Sequence, residues 1–354
     1  MNRPYLVNFS SIINDRQLNI RISLTKSVTQ QYGKANPSEK PIDSISLFSK
    51  EIFRVRIIGL NSNNVQILSR EYDSDNYGNF QLKLSAFVGD QRIERLSIFE
   101  TLTIPGVEFH LGGFLPLVIK MPKKILITDF DKTLVDTKYH TPREMYHSLN
   151  RPLNFFPTVE SSVDKIKDYI AKDFQPFVLS ASPHFYENAI RDWLYQHEIF
   201  ASNIFLKDYR DFISIFEGRL STKDLKIHGF YKLNKLIDIL LMTGIPDELV
   251  LFGDGFESDP FIYLTLQELL DKKTDPWKLW KSLKNHSFFN LTNKQDSIFI
   301  TKFYQLNEMA KNKDTMYLKI FIRAVEDNLT ELQEYKFDKK TLSDYNASVN
   351  YYLG

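Results

Sequence analysis

The chain has no cysteine among its 354 residues. Disulfides, thiolate nucleophiles and cysteine-ligated zinc are therefore excluded. Charge of a dominant sign is also missing: 45 Lys and Arg stand against 44 Asp and Glu, for a formal charge of +1. That balance gives no sign of a nucleic-acid binder, a polybasic membrane anchor or an acidic tail. No apolar run reaches the roughly 20 residues that a membrane-spanning helix needs. The opening Met1-Asn2-Arg3-Pro4-Tyr5 has no basic segment followed by an apolar one, so no secretory leader is expected. His140, His184 and His228 have no metal-ligand spacing and are expected at surface or entrance positions. There is no internal repeat and no low-complexity tract. These absences predict a soluble cytoplasmic protein. With 43% hydrophobic and 25% charged residues it has enough apolar material for a sizeable core, and its length predicts two or three domains.

What is present divides the chain. Residues 1–120 are β-rich. Phe53-Arg54-Val55-Arg56-Ile57-Ile58 and Val65-Gln66-Ile67-Leu68 read as strands around the turn-prone Asn61-Ser62-Asn63-Asn64. A polar turn at 73–80 leads into Phe80-Gln81-Leu82-Lys83-Leu84, which alternates with period two. Short strands at this spacing predict a β-sandwich, and the polar stretch 30–40 predicts a loop. From Pro122 the pattern changes to apolar runs at 125–128, 177–180, 204–206 and 249–252, alternating with helical segments. Phe185, Ala189, Ile190, Trp193 and Leu194 share one helix face. Leu233, Leu236, Ile237, Leu240 and Leu241 share another. This alternation predicts a parallel α/β sheet over 121–274. Residues 275–354 are rich in helix formers, with amphipathic segments at 277–280 and 317–322, and predict a helical C-terminal extension.

The chemistry-bearing stretch is Asp129-Phe130-Asp131-Lys132-Thr133-Leu134, directly after the run Ile125-Leu126-Ile127. Two carboxylates and a hydroxyl at a strand end suit phosphoryl transfer to an aspartate. One carboxylate attacks phosphorus, the second moves protons, and the hydroxyl holds phosphate oxygens. Open α/β sheets bind ligands at the carboxyl ends of their strands, so the other strand ends matter. After the second run comes Ser180-Ala181-Ser182-Pro183, with hydroxyls beside a helix N-terminus where phosphate is favoured. Lys232 opens the amphipathic helix before the last run. After that run comes Gly253-Asp254-Gly255-Phe256-Glu257-Ser258-Asp259-Pro260, whose carboxylates suit a hard cation such as Mg²⁺.

Aspartate pair, hydroxyl, lysine and acidic loop occur in the order found in the haloacid-dehalogenase (HAD) superfamily of phosphohydrolases, and the chain resembles that superfamily. More narrowly, Leu179-Ser180-Ala181-Ser182-Pro183 and the segments Gly253-Asp254 and Asp259-Pro260-Phe261-Ile262-Tyr263 resemble the actin-patch type of phosphatidate phosphatase. The narrower resemblance covers about residues 123–270, with weaker architectural support from 45–120, and does not reach the tail. It departs from the family at Lys132, where Asp is usual, at His184, where Trp is usual, and at Gly255, where Ser is frequent.

The resemblance implies a HAD-like Rossmannoid sheet after a β-sandwich, and a Mg²⁺-dependent phosphatase acting on phosphatidate or a related phospholipid, with peripheral membrane contact. Asp129 is then the nucleophile and a metal ligand. Asp131 is the proton donor and acceptor, with its backbone carbonyl a metal ligand by resemblance. Thr133 either binds phosphate or caps its turn. Ser180, with Ala181 and Ser182 beside it, binds phosphate, although Ser182 before Pro183 also suits a helix N-cap. Lys232 stabilises phosphate charge, with Lys226 and Lys235 as rivals and Lys235 expected in solvent. Asp254 is the second direct metal ligand, and Asp259 acts on the metal through water or orients Lys232. Glu257 is expected as a loop-surface charge. The intervals at 138–156 and 209–228 leave room only for small caps, which predicts an open site. Phe212, Phe216, Phe230 and Tyr231 would either touch lipid or pack that second insertion down. Two other readings remain: a phosphatase for a phosphoprotein or a polynucleotide end, and a binding protein with a vestigial phosphatase fold.

Overall fold

The structure is a computed structural model. It describes residues 2–28, 51–137, 153–207, 229–272, 274–286, 289, 293–313, 316–334, 346 and 348–354. The loop expected at 30–40, both expected caps apart from residues 153–156, and Lys226, His140, His228, Phe212 and Phe216 lie outside them. The chain divides into two compact units. One holds chiefly the residues up to Ile119 together with His184–Glu187. The other begins at Lys120 and includes the C-terminal residues.

The first unit is built from β1 (Asn2–Asn14), β2 (Gln17–Val28), β3 (Arg54–Leu60), β4 (Gln66–Asp73), β5 (Asn79–Ser85), β6 (Phe87–Val88), β7 (Gln91–Arg92), β8 (Arg95–Glu100), β9 (Phe109–Phe114) and β10 (Leu117–Val118). The strands form two four-stranded sheets, β10-β1-β2-β5 and β4-β3-β8-β9, and the small β6-β7 ribbon. All pairings are antiparallel except β1 with β10. Period-two alternation sends one side chain in two to the shared core. Leu18, Ile20, Ile22 and Leu24 of β2 meet Val55 and Ile57 of β3 and Leu96 and Ile98 of β8 there, all buried. The result is sandwich-like. Between β3 and β4, Asn61 Oδ1 accepts the N–H groups of Asn63 and Val65, which closes the turn. His184 belongs to this unit, in the short turn His184–Tyr186, and is buried rather than at a surface or entrance.

The second unit contains a six-stranded, wholly parallel sheet of β11 (Lys124–Thr128), β12 (Gln175–Pro183), β13 (Asn203–Lys207), β14 (Glu248–Asp254), β15 (Tyr317–Ala324) and β16 (Asn350–Leu353). Its helices are α1 (Glu160–Ile170), α2 (Glu187–Gln196), α3 (Gly229–Thr243), α4 (Asp259–Leu270), α5 (Pro276–Leu283), α6 (Asn293–Lys311) and α7 (Glu326–Glu334). The strand order is β13-β12-β11-β14-β15-β16. The chain therefore winds outward one way from β11 and then returns to its other side at β14. Such a reversal opens a crevice at the carboxyl ends of the central strands. Consecutive residues along β13 and β14 are buried, as they must be where both faces of a sheet are covered.

The expectation of a helical extension over 275–354 is corrected here. Helix α5 forms where the amphipathic segment 277–280 predicts, and α6 forms within the stretch rich in helix formers, with Trp280 packed among Phe289, Phe299 and Phe303. Residues 317–324, however, form strand β15, paired from Tyr317 to Arg323 with β14. Tyr317-Leu318-Lys319-Ile320-Phe321-Ile322 is too short for periodicity to separate strand from helix. The pairing partner decides it: Leu318 stands in register beside Leu249 of β14, which lies far earlier in the chain. Phe230 and Tyr231 are buried residues of α3, not an exposed lipid-facing pair, and Phe230 meets Phe299 edge-on at 5.1 Å.

Candidate active site

The carboxyl ends of β11, β12 and β14 carry the residues singled out in the sequence. The Asp129 N–H donates to the Phe252 carbonyl at 2.9 Å, which carries the sheet pairing one residue past β11. The chain then turns back sharply, and the Leu134 N–H reaches the Phe130 carbonyl at 2.9 Å. Phe130 and Leu134 are fully buried anchors, and Phe130 packs edge-on to Trp193 at 5.2 Å. Lys132 takes a φ of +59°, which lets the turn close without a glycine.

Lys232, in the first turn of α3, is 2% exposed. Its ammonium donates to Asp129 Oδ2 at 3.0 Å and to Asp259 Oδ1 at 2.6 Å, and lies 4.0 Å from Asp254 Oδ2. Lys235 is not its rival in this place. It pairs with Asp238 at 4.0 Å and is largely covered, contrary to the expectation of full solvation. Asp254 Oδ1 accepts from the N–H groups of Phe256 at 2.7 Å and Glu257 at 2.9 Å, which folds the acidic loop. Asp259 Oδ2 accepts the Asp254 N–H at 3.2 Å. Gly253 is required by space: a Cβ there would come within 2.6 Å of Asp259 Oδ2 and 2.8 Å of the Tyr263 ring.

Carboxylate oxygens of Asp129, Asp254 and Asp259 lie within 4.8 Å of one another. Asp129 Oδ1 and Asp254 Oδ2 are buried and have no hydrogen-bond partner. Buried polar atoms left so are costly, and three convergent carboxylates are a hard-oxygen donor set suited to a divalent cation. Ionised, three carboxylates against one ammonium leave two negative charges in a dry site. The residues present therefore fit a bound metal cation. Without one, burial pushes all three carboxyls up, Asp129 strongly and Asp254 to about 8, although Lys232 pulls the other way. The Lys232 ammonium is disfavoured by burial, but Asp129, Asp259, Glu257 and Asp254 outweigh that and hold it well above the usual lysine range.

Asp131 sits in a separate hydrogen-bonded set. Ser180 Oγ donates to Asp131 Oδ2 at 3.0 Å, Ser182 Oγ donates to the same oxygen, and Thr137 Oγ1 donates to Oδ1 at 3.3 Å. Ser180 Oγ also accepts the Ser182 N–H at 2.9 Å, which folds Ser180, Ala181 and Ser182 around the carboxylate. Burial raises the Asp131 carboxyl above its ordinary range, and the two serine hydroxyls only partly offset it. Ser182 thus bonds a carboxylate. Thr133 Oγ1 is buried with no hydrogen-bond partner, so it does not cap its turn.

Two residues act here that sequence reasoning misplaced or missed. Glu257 is not a loose surface charge: its carboxylate accepts from Lys132 Nζ at 3.1 Å and lies 3.6 Å from Lys232 Nζ, bridging two lysines. Burial opposes the Lys132 ammonium, but Glu257 and Asp254 more than compensate and raise it. Arg323 of β15 is buried and donates to the Lys132 carbonyl at 2.6 Å. A charged residue near the end of an apolar strand was its only signal, and reading that segment as helical hid it.

No protein-family model and no curated protein matches the chain. Among solved structures, the β-glucuronidase of Parabacteroides merdae with glycerol in its active site shares 9% identity at a TM-score of 0.26, covering 91% of this chain and 34% of that one. The β-glucuronidase of Ruminococcus gnavus shares 8% at 0.23, covering 81% and 43%. A glycosyl hydrolase family 2 member from Bacteroides cellulosilyticus shares 9% at 0.25, covering 99% and 44%. The chain spans less than half the length of each. At such scores the function has to be argued from the chain's own residues.

Proposed function

We propose that this protein is a Mg²⁺-dependent phosphomonoester hydrolase of the haloacid-dehalogenase type, working through an aspartyl-phosphate on Asp129. The observation that carries this reading is the buried set of Asp129, Asp254 and Asp259 around Lys232, with Asp131 held apart on two serine hydroxyls.

Asp129 attacks phosphorus in line, forming an Asp–O–P bond as the bond to the leaving alkoxide breaks. Asp131, protonated because burial favours its neutral form, gives its proton to the leaving oxygen. It then takes a proton from the water that hydrolyses the aspartyl-phosphate. Lys232 moves its hydrogen bonds from carboxylate to phosphoryl oxygens as charge develops there. Ser180, Ser182 and Thr133 supply hydroxyls around the phosphoryl group, and the Thr133 hydroxyl has no competing partner. Asp129 and Asp254 would hold Mg²⁺, which screens the charge between the carboxylates and the incoming phosphate. Asp259 fixes Lys232 and the Asp254 backbone.

The substrate class rests on the resemblance of 179–183 and 253–263 to actin-patch phosphatidate phosphatases: phosphatidate or a related phospholipid. The test is phosphate release from short-chain phosphatidate and from an aryl phosphate, by wild type and Asp129→Asn, each with Mg²⁺ and with chelator. Metal-dependent release lost in the variant supports the mechanism, and preference for phosphatidate supports the lipid substrate. Activity on the aryl ester alone keeps the chemistry and removes the lipid. No release from either, by folded protein in saturating Mg²⁺, overturns the hydrolase reading for these substrates.

A further inference from the structure

Arg323 is 4% exposed, yet none of the roles assigned above uses it. Its Nη1 donates to the Lys132 carbonyl at 2.6 Å and to Asp136 Oδ1 at 3.1 Å, two points on the turn that presents Asp129 and Asp131. Its Nε donates to the Gly354 carbonyl at 3.0 Å, one residue past β16. Its own carbonyl accepts the Gly255 N–H at 2.8 Å, and in sheet register it stands beside Asp254. The guanidinium lies 6.0 Å from the centre of the Phe256 ring. One residue thus holds the nucleophile turn with its side chain and the acidic loop with its backbone.

The bond to Lys132 falls where the turn most needs holding. Lys132 occupies the left-handed region at φ +59°, which is unfavourable for a residue with a Cβ. Its N–H is bonded to the Val135 carbonyl at 2.8 Å and its carbonyl to Arg323. With both peptide groups of Lys132 pinned, the direction in which Asp131 leaves the turn is set. The planar guanidinium serves three acceptors at once in a fixed fork, which a single ammonium at the end of a flexible stem does not reproduce.

We infer that Arg323 is a positioning residue that locks the Asp129–Asp131 turn and the Asp254 loop into one arrangement. Strand β15, outside the segments that bear the motifs, is then required for the reaction. The inference rests on the phosphatase reading of Asp129.

The test uses Arg323→Lys and Arg323→Met in the full chain, with circular dichroism and thermal denaturation to establish folding. For folded Arg323→Lys, kcat on an aryl phosphate is expected to fall about 10²-fold, the scale of a misplaced catalytic group, with KM nearly unchanged. The Mg²⁺ concentration that gives half of the full Tm shift is expected to rise about tenfold, as when a group supporting metal ligands is lost. Arg323→Met is expected to lose more of both. A lowered Tm with kcat and Mg²⁺ response intact is what a merely structural arginine gives, and overturns the inference. The Mg²⁺ titration needs no turnover. If wild type hydrolyses no phosphomonoester, the phosphatase reading falls, while a weakened Mg²⁺ response in Arg323→Lys still supports the positioning role. A wild type silent in both readouts overturns the two together. Should Arg323→Lys fail to fold, Asp136→Asn, which weakens one of the same bonds, is expected to move both readouts in the same direction, and no change overturns the inference.

Discussion

The Lys232 ammonium lies 2.6 Å from Asp259 Oδ1, joining the first turn of α3 to the first residue of α4 in a fully buried contact. Asp259 is 27 positions away in the chain, and the strand between them, β14, ends in Asp254. The pair therefore ties both helices to the strand end where the acidic oxygens collect.

Removing the ammonium should unbalance that end of the sheet. Lys232→Met leaves Asp129, Asp254 and Asp259 facing one another in a dry site. Breaking a buried ion pair from one side typically costs about 3–5 kcal/mol. Urea denaturation of the metal-free variant at neutral pH is expected to show a loss of this order, together with loss of phosphatase activity. Saturating Mg²⁺ should recover much of the stability and none of the activity. A variant as stable as wild type without metal would contradict the picture of a charge-balanced cluster.

The pH dependence of stability follows from the same burial. The Asp254 carboxyl titrates at about 8 in the folded protein, against about 3.9 in an unfolded chain. Between those values the folded state binds a proton that the unfolded state does not, so stability falls as pH rises. The contribution is fully favourable below the unfolded value and is lost as the pH passes the folded one. Metal-free protein is therefore expected to melt at a lower temperature near pH 8 than near pH 5.5, and Asp254→Asn should flatten the difference. Mg²⁺ competes with these protons, so its Tm increase should be larger at the higher pH. Differential scanning calorimetry with chelator and with Mg²⁺ reads both effects.

Asp131 offers a kinetic counterpart. The Ser182 hydroxyl favours the charged form of the Asp131 carboxyl. Ser182→Ala should therefore move that group further up. If protonated Asp131 is the acid for the leaving group, the alkaline limb of kcat is expected to shift to higher pH in Ser182→Ala. Ser180→Ala should act in the same direction. Profiles on an aryl phosphate, whose leaving group needs little protonation, should shift less than those on an alkyl phosphate. An unmoved alkaline limb on the alkyl ester would remove Asp131 from the acid role.

The residues beyond 274 belong to the same unit as the site. Trp280 is fully buried, and its Nε1 donates to Asp296 at 2.5 Å. Trp280→Ala is expected to cost about 3–5 kcal/mol, the usual range for a large aromatic cut from a core. It should also lower the midpoint at which the site loses Mg²⁺-dependent stabilisation, because α5, α6 and the sheet melt together. A chain ending at 274 lacks β15 and β16 and is expected not to fold into a soluble unit. A chain ending at 274 that stays soluble and keeps the Mg²⁺-dependent stabilisation would argue instead for an independent tail.

Local pattern determined a good part of this protein by itself. Buried parallel strands read as apolar runs, so β11, β12, β13 and β14 were legible. So were the acidic and hydroxyl positions at their ends, since Asp129, Ser180 and Asp254 each stand where a run of Ile, Leu, Val or Phe stops. The long hairpin of β1 and β2 was equally written in Leu18, Ile20, Ile22 and Leu24, two residues apart, although it was not among the strands named from the sequence. Pairing across distance was not legible. Tyr317–Ala324 carries a short apolar pattern compatible with either period, and only its register against β14 makes it a strand. That choice carried Arg323 to the nucleophile turn and Gly354 to Arg323. Charge partners were hidden in the same way. Glu257 reads as a loop acid until the fold sets Lys132, 125 positions before it, on one side and Lys232 on the other. A carboxylate's partner depends on which strands are neighbours. Sheet order is settled by the burial and hydrogen bonding of whole strands, which no single segment contains.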